Sequence, residues 1–254
     1  MVRSTGVKLI LSPRSSKTYP RTIDFQRIAH IAEEIGALVM ADMAHMLGLV
    51  AAGIMPNPFP YADIVTGSAS KTLCGPHSGL ILCKNALAQA VDAGVYPATT
   101  SSVHLQSVAA MAHTFLEAGT PAFRATMERA VSNAHCLADA LKAKGFSILT
   151  GGTDCHFLVA DLRPLGLNAP KAANALQSVG VIVNTKRLPF DECATPQGLR
   201  IGTTVCAQRG MGAAEMDVLA QVISLAGRFD RDERLRNDCR DRVLALARQF
   251  PLPW

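Results

Sequence analysis

Ile23-Asp-Phe-Gln-Arg-Ile28-Ala-His-Ile31-Ala32-Glu-Glu-Ile35-Gly36-Ala37-Leu-Val-Met40-Ala-Asp42 is the stretch that decides the fold. Its first part places apolar residues at Ile28, Ile31, Ala32 and Ile35, the period of a helix, and Gly36 stands where a C-cap glycine ends one. Ala37 to Met40 is then a short continuous apolar run, which reads as a buried strand. Upstream, Val7-Lys-Leu-Ile-Leu11 has the same character, and a polar, proline-containing loop from Ser12 to Arg21 separates it from the helix. Strand, helix and strand within about thirty residues predict a right-handed parallel crossover. Ligands in such sheets sit beyond the carboxyl ends of the strands, so Asp42 and His45 are expected at the ligand-binding edge.

Working outward, Ile64-Val65 and Gly79-Leu-Ile-Leu-Cys83 read as further strands. Between them runs Thr66-Gly-Ser68-Ala-Ser70-Lys71-Thr72-Leu73, a lysine set among small hydroxyl residues. A lysine alone is most often a solvated surface group, an aspartate after a strand is often a helix N-cap, and a histidine three residues later is as often a packing residue. The neighbours change that balance. Thr66, Ser68, Ser70 and Thr72 offer hydroxyls to a phosphate or carboxylate, and Gly75 and Gly79 allow close backbone approach. A lysine amine can hold a carbonyl cofactor as a Schiff base, and a carboxylate on a pyridinium nitrogen keeps that nitrogen protonated. The residues by themselves therefore point to an α/β protein with a lysine-centred cofactor site.

From Leu105 to Lys144 the pattern turns helical, with a break at Gly119-Thr-Pro121 and a stop at Gly145. Beyond it, strands near Ser147 to Leu149, His156 to Val159, Val181 to Asn184 and Leu199 to Gly202 alternate with helices over Ala169 to Val179 and Ala213 to Phe229. This predicts a first domain over 1–120 and a smaller C-terminal α/β domain over 121–254. Arg200, two residues after the Gln197-Gly198 pair, leads an apolar turn, and a planar guanidinium can grip a carboxylate with two parallel hydrogen bonds. His156 reads as a satisfied polar group near a strand start.

Composition narrows the function classes. With 49% apolar and 18% charged residues in 254, the chain has the make-up of an ordinary globular protein. The net charge of +5 is scattered rather than gathered into a basic stripe with aromatics, which argues against a nucleic-acid partner. No apolar run reaches the length of a membrane span and Met1-Val-Arg-Ser-Thr-Gly-Val-Lys lacks signal-peptide order, so the expected location is the cytoplasm, with no membrane partner. The seven cysteines show no Cys-x-x-Cys spacing, so reduced core thiols are expected rather than disulfides or a metal site.

Asp42-Met-Ala-His45, Gly48-Leu-Val-Ala-Ala-Gly53, Pro56-Asn-Pro58, Lys71-Thr-Leu with Gly75-Pro76, Ser78-Gly-Leu-Ile-Leu82, Thr150-Gly-Gly-Thr-Asp-Cys-His156 and Leu199-Arg200-Ile-Gly-Thr203 follow one another in order from about Ile10 onward. Together they resemble the serine hydroxymethyltransferase family. The resemblance implies an aspartate-aminotransferase-like (fold type I) transferase that uses pyridoxal 5'-phosphate, here a partial large domain with the smaller C-terminal domain. It implies that Lys71 carries the cofactor, that Asp42 meets its ring nitrogen and His45 its ring, that Ser68 and Ser70 lie against it, and that Arg200 holds the substrate carboxylate. The implied reaction interconverts serine and glycine, with tetrahydrofolate taking the one-carbon unit. A homodimer or a pairing with a longer homologue is implied as well, because sites in this fold type are shared between subunits.

Several positions depart from that family's pattern. Ser70 stands where the family usually has histidine, Cys74 and His77 where it has arginines, and Ser78 where it has glycine. The turn that receives phosphate across the subunit interface is glycine-rich in the family and is Pro97-Ala-Thr-Thr-Ser-Ser-Val103 here. The serine of the family's Ser-Ala-Tyr turn aligns at Lys17, with Ser15 and Ser16 close by. Family members are far longer and this chain begins near the strand before Asp42, so much of the amino-terminal half of the cofactor domain is expected to be missing, leaving sheet edges and apolar helix faces uncovered. These departures leave other readings beside the leading one: a non-catalytic relative or partner subunit that keeps the lysine, an inactive fragment, or a related enzyme of the α-methylserine hydroxymethyltransferase or threonine aldolase type.

Overall fold

The computed structural model describes residues 9–12, 19–189, 191 and 195–253. The expectations for Val7, Ser15, Ser16 and Lys17 lie outside these residues. Two compact units divide the chain, one over Thr22–Arg124 together with the first strand, the other over Ala125 onward together with residues 19–21.

The first unit runs β1 (Leu9–Ser12), α1 (Phe25–Ile35), β2 (Leu38–Asp42), α2 (Leu47–Ala51), β3 (Ile64–Ser68), β4 (Gly79–Cys83), α3 (Ala88–Val95) and α4 (Leu105–Ala118). Its sheet has the order β1-β2-β3-β4. The first three strands are parallel and β4 closes the edge antiparallel to β3. Helix α1 forms where its apolar period demands it. Asp24 caps it by accepting from the Arg27 N–H, and Gly36 ends it at φ 64°, the left-handed conformation that glycine adopts without steric cost. With α1 as the connection, β1 and β2 pair in parallel with Leu9 opposite Leu38, as the strand-helix-strand order requires. Strand β2 buries Val39 and Ala41, while Asp42, its last residue, sits opposite Thr66 of β3.

Asp63, just before β3, ties three strands at the end opposite Asp42. Its Oδ2 accepts from the Val39 N–H at 2.7 Å and its Oδ1 from Lys84 Nζ at 2.8 Å. Burial by itself would raise the Asp63 carboxyl, but the bonds from Lys84 and Val39 outweigh it and hold the group below its ordinary value.

The second unit carries α5 (Pro121–Lys142), β5 (Ser147–Ile148), β6 (Phe157–Asp161), α6 (Ala169–Ser178), β7 (Asn184–Lys186), β8 (Gly198–Gly202), α7 (Thr204–Gln208), α8 (Ala213–Ser224) and α9 (Glu233–Gln249). The division between the units falls inside α5. The sheet is antiparallel throughout, in the order β5-β6-β8-β7. One of its faces supplies Ile148, Leu158, Ala160, Leu199 and Ile201 to a core shared with Leu137, Leu141, Leu176 and Phe229.

Some boundaries differ from the sequence expectation. The strand expected over Val181 to Asn184 lies at Asn184–Lys186, because Ile182 is 84% exposed and the apolar run spans the approach to the sheet instead of entering it. The helix expected to reach Phe229 ends at Ser224 and passes into a single tight 3₁₀ turn over Ala226–Arg228. Not all the thiols are core residues: Cys74 is exposed, whereas Cys155 and Cys239 are buried. Among the described residues no helix is long and apolar enough to cross a membrane.

Candidate active site

The parallel pairing of β2 with β3 brings the two decisive segments to one sheet edge. Asp42 ends β2, and the Met43 N–H donates to the Thr66 carbonyl at 2.7 Å, so the chain leaving β2 stays attached to β3. The Asp42 carboxylate is set by its own loop, Oδ1 accepting from the Ala44 N–H at 3.0 Å. His45 follows at 8% exposure, buried with Met43, Met46 and Leu49.

Beyond β3, the chain folds into a tight turn. The Ala69 N–H donates to Ser78 O at 2.9 Å, Gly75 N–H to Ala69 O at 2.8 Å and Cys74 N–H to Lys71 O at 2.9 Å, so Lys71 stands on a backbone held at both ends. The Ser68 and Ser70 hydroxyls lie 3.3 Å apart, one hydrogen bond, on the approach to Lys71. Cys74 takes a positive φ of 62°, an uncommon conformation for a residue with a Cβ, which turns the chain sharply three residues after the lysine.

Thr72 is the residue whose expected role changes. Its hydroxyl does not stand open to a phosphate: the side chain is 1% exposed, donating to His45 O at 2.9 Å and accepting from the Gly48 N–H at 3.0 Å. The lysine turn is thereby stapled to the start of α2 and to the Asp42-His45 loop. Gly48 has to be glycine here, because a Cβ would overlap the Thr72 carbonyl. Neither partner could be read from spacing, since both are tertiary neighbours 24 and 27 residues away.

The Pro97 to Val103 segment is exposed and joins α3 to α4. Thr99 Oγ1 donates back to Gly94 O at 2.8 Å and Val95 O at 3.1 Å, capping α3. With Thr66, His77, His104 and Ser107, this segment lines a groove of about 950 Å³ whose lining does not include Lys71 or Asp42.

In the second unit, Arg200 sits in the middle of β8, opposite Val159 of β6 on one side and Asn184 of β7 on the other. Its Nη2 donates to Asn184 Oδ1 at 2.9 Å, and its guanidinium lies 5.8 Å from the Phe157 ring centroid. Nη1 is buried with no hydrogen-bond acceptor among the described residues. Burial pushes the Arg200 pKa down from its ordinary value. His156, immediately before β6, is 7% exposed, and its ring meets Phe157 edge-on at 5.3 Å. Its carbonyl accepts from Thr203, whose hydroxyl also donates to Ala130 O at 2.6 Å, fixing the end of β8 to α5. The residue type of Arg200 is legible in the sequence as carboxylate chemistry, whereas the duties of Asn184 and Phe157 depend on the strand register that puts all three on one sheet face.

The sheet edge thus combines a lysine on a fixed turn, an oriented carboxylate and a hydroxyl pair, while the second unit presents a partly satisfied arginine. Comparison with known proteins places the chain in a family. The family model described as serine hydroxymethyltransferase matches residues 3–223. The chain belongs to the serine hydroxymethyltransferase family. Over 248 residues it is 39% identical to the serine hydroxymethyltransferase of Desulfotalea psychrophila (strain LSv54 / DSM 12343), an alignment that covers 97% of this chain and 58% of that protein. The chain therefore spans somewhat more than half the length of that curated relative. Family membership brings the fold-type I architecture, consistent with the mixed α/β organisation of both units.

Proposed function

We propose that the chain takes part in pyridoxal 5'-phosphate-dependent interconversion of serine and glycine, with tetrahydrofolate as the one-carbon acceptor. The observation that supports this most is the joint placement of Lys71 and Asp42 at one sheet edge, in a chain of this family. The donor set fits the cofactor. A primary amine can bind its carbonyl carbon, a carboxylate can hold a proton on its ring nitrogen, and the Ser68 and Ser70 hydroxyls can donate to its anionic groups.

In this reading Lys71 holds the cofactor through Nζ, Asp42 keeps the ring nitrogen protonated and buried His45 packs against the ring. Arg200 binds the amino-acid carboxylate through Nη1, which has no acceptor among the described residues, since a buried charged donor gains most from an anionic acceptor. When bound, the cofactor supplies the electron sink for the pair released as the Cα–Cβ bond of serine breaks. The same reading makes the protein a cytoplasmic homodimer or the partner of a longer homologue. Leu105 and Leu116 on α4, 75% and 73% exposed, are apolar surface suited to such an association.

The test is to incubate the purified, cofactor-supplied chain with L-serine and tetrahydrofolate and to follow glycine and the folate-bound one-carbon unit together. Formation of both in equal amounts supports the proposal. Absence of both in the homogeneous, cofactor-loaded protein rejects catalysis by this chain alone.

A further inference from the structure

Asn184 and Arg200 are direct partners in the β7–β8 ladder. Side chains of such partners leave the sheet on the same face with their Cβ atoms about 5 Å apart, close enough for a short amide to reach a guanidinium. Here Oδ1 of Asn184 accepts from Nη2 of Arg200 at 2.9 Å. Phe157 approaches from the other flank. Arg200 is registered opposite Val159, and Phe157, two residues earlier on β6, is its diagonal neighbour with the ring centroid 5.8 Å from the guanidinium carbon. The Phe157 ring is in turn held edge-on by His156. One nitrogen of the guanidinium is thus tied, its plane has an aromatic neighbour, and Nη1 is left buried without an acceptor among the described residues.

The chemistry of the tie matters. An aspartate at position 184 would hold Nη2 equally well, but it would also neutralise the guanidinium and compete with an incoming anion. The asparagine amide orients without cancelling the charge, so the cation stays available to a second acceptor. We propose that Asn184 is a positioning residue for carboxylate recognition: it fixes the rotation of the Arg200 guanidinium and leaves Nη1 to an amino-acid carboxylate, with Phe157 steadying the plane. This rests on the reading of Arg200 as the substrate-carboxylate residue.

Two measurements test it. The first needs no cofactor: in the chain labelled with isotopic arginine, the Arg200 guanidinium signal is assigned by its loss in Arg200→Ala. Rotation about Cζ is expected to be hindered in the parent chain and free in Asn184→Ala. Unchanged hindrance in Asn184→Ala overturns the proposal.

The second is a double-mutant cycle on L-serine affinity in the cofactor-supplied chain, with 2-aminoethanol as the carboxylate-free probe. Asn184→Ala is expected to weaken serine about tenfold, the size of one charge-assisted hydrogen bond. Asn184→Asp is expected to weaken it further. Neither should alter 2-aminoethanol binding, and Asn184→Ala should add nothing in an Arg200→Ala background. Equal serine affinity in Asn184→Ala, or an effect that persists undiminished without Arg200, overturns the role of Asn184. If Arg200→Ala itself leaves serine affinity unchanged, the underlying reading of Arg200 fails as well.

Discussion

Thr72 Oγ1 donates to the carbonyl oxygen of His45 at 2.9 Å, from a side chain only 1% exposed. Through this bond, and the one Thr72 accepts from Gly48, the turn that carries Lys71 and the loop that carries Asp42 and His45 form one body. A cofactor bound at Lys71 under the proposed function would meet groups whose positions are set before it arrives, which is how a protein lowers the cost of orientation.

Thr72→Val tests this coupling while conserving shape. It removes the donor to His45 O and leaves the Gly48 N–H without its acceptor, which is expected to cost about 1–3 kcal/mol. Denaturant unfolding should register that loss, and a titration should register weaker cofactor binding. Parent-like stability together with parent-like cofactor affinity would show that the staple is idle.

Gly48→Ala tests the same contact from the other side. The added methyl has no room against the Thr72 backbone, and a carbonyl in a hydrogen-bonded turn cannot swing aside as a side-chain tip does. An overpacking cost of about 1–3 kcal/mol is expected, with the lysine turn displaced and cofactor attachment reduced. A variant that melts with the parent would contradict the packing described.

Asp63 contributes to the acid stability of the first unit. Because its folded pKa lies below its unfolded value, its contribution is present above the unfolded value of about 3.9 and is lost as pH falls through the folded one. Asp63→Ala is expected to destabilise by about 1–3 kcal/mol at neutral pH, and the gap from the parent should close as the solution is acidified below about pH 4. Melting curves across that range check it, and a gap that stays constant with pH would exclude the carboxylate as the cause.

What the sequence made legible follows from which forces are local. Helix α1 with its Gly36 cap, and the break between α4 and α5 at Gly119 to Pro121, rest on periodicity and on glycine and proline chemistry, and each lies where those predict. Helix α9 is hard to read from sequence because its apolar stripe, Leu235, Cys239, Val243 and Leu246, is thin among charged residues, and of the four only Cys239 is fully buried. The β7 segment was displaced because a continuous apolar run around Ile182 looks like a strand whether or not it finds a ladder partner. At the site, the residue types at Asp42, Lys71 and Arg200 were legible as chemistry. The duties of Thr72 and Asn184 were not, since each depends on a partner that only the folded sheet brings within reach.

The central claim is that Lys71 is the cofactor-bearing residue. The direct measurement is to supply the purified chain with pyridoxal 5'-phosphate, reduce with borohydride and locate the adduct by peptide mass spectrometry, in parallel with Lys71→Ala. One stoichiometric adduct on the Lys71 peptide, absent from the variant, is the expected result. An adduct at full yield in Lys71→Ala, or label spread evenly over surface lysines, would contradict it.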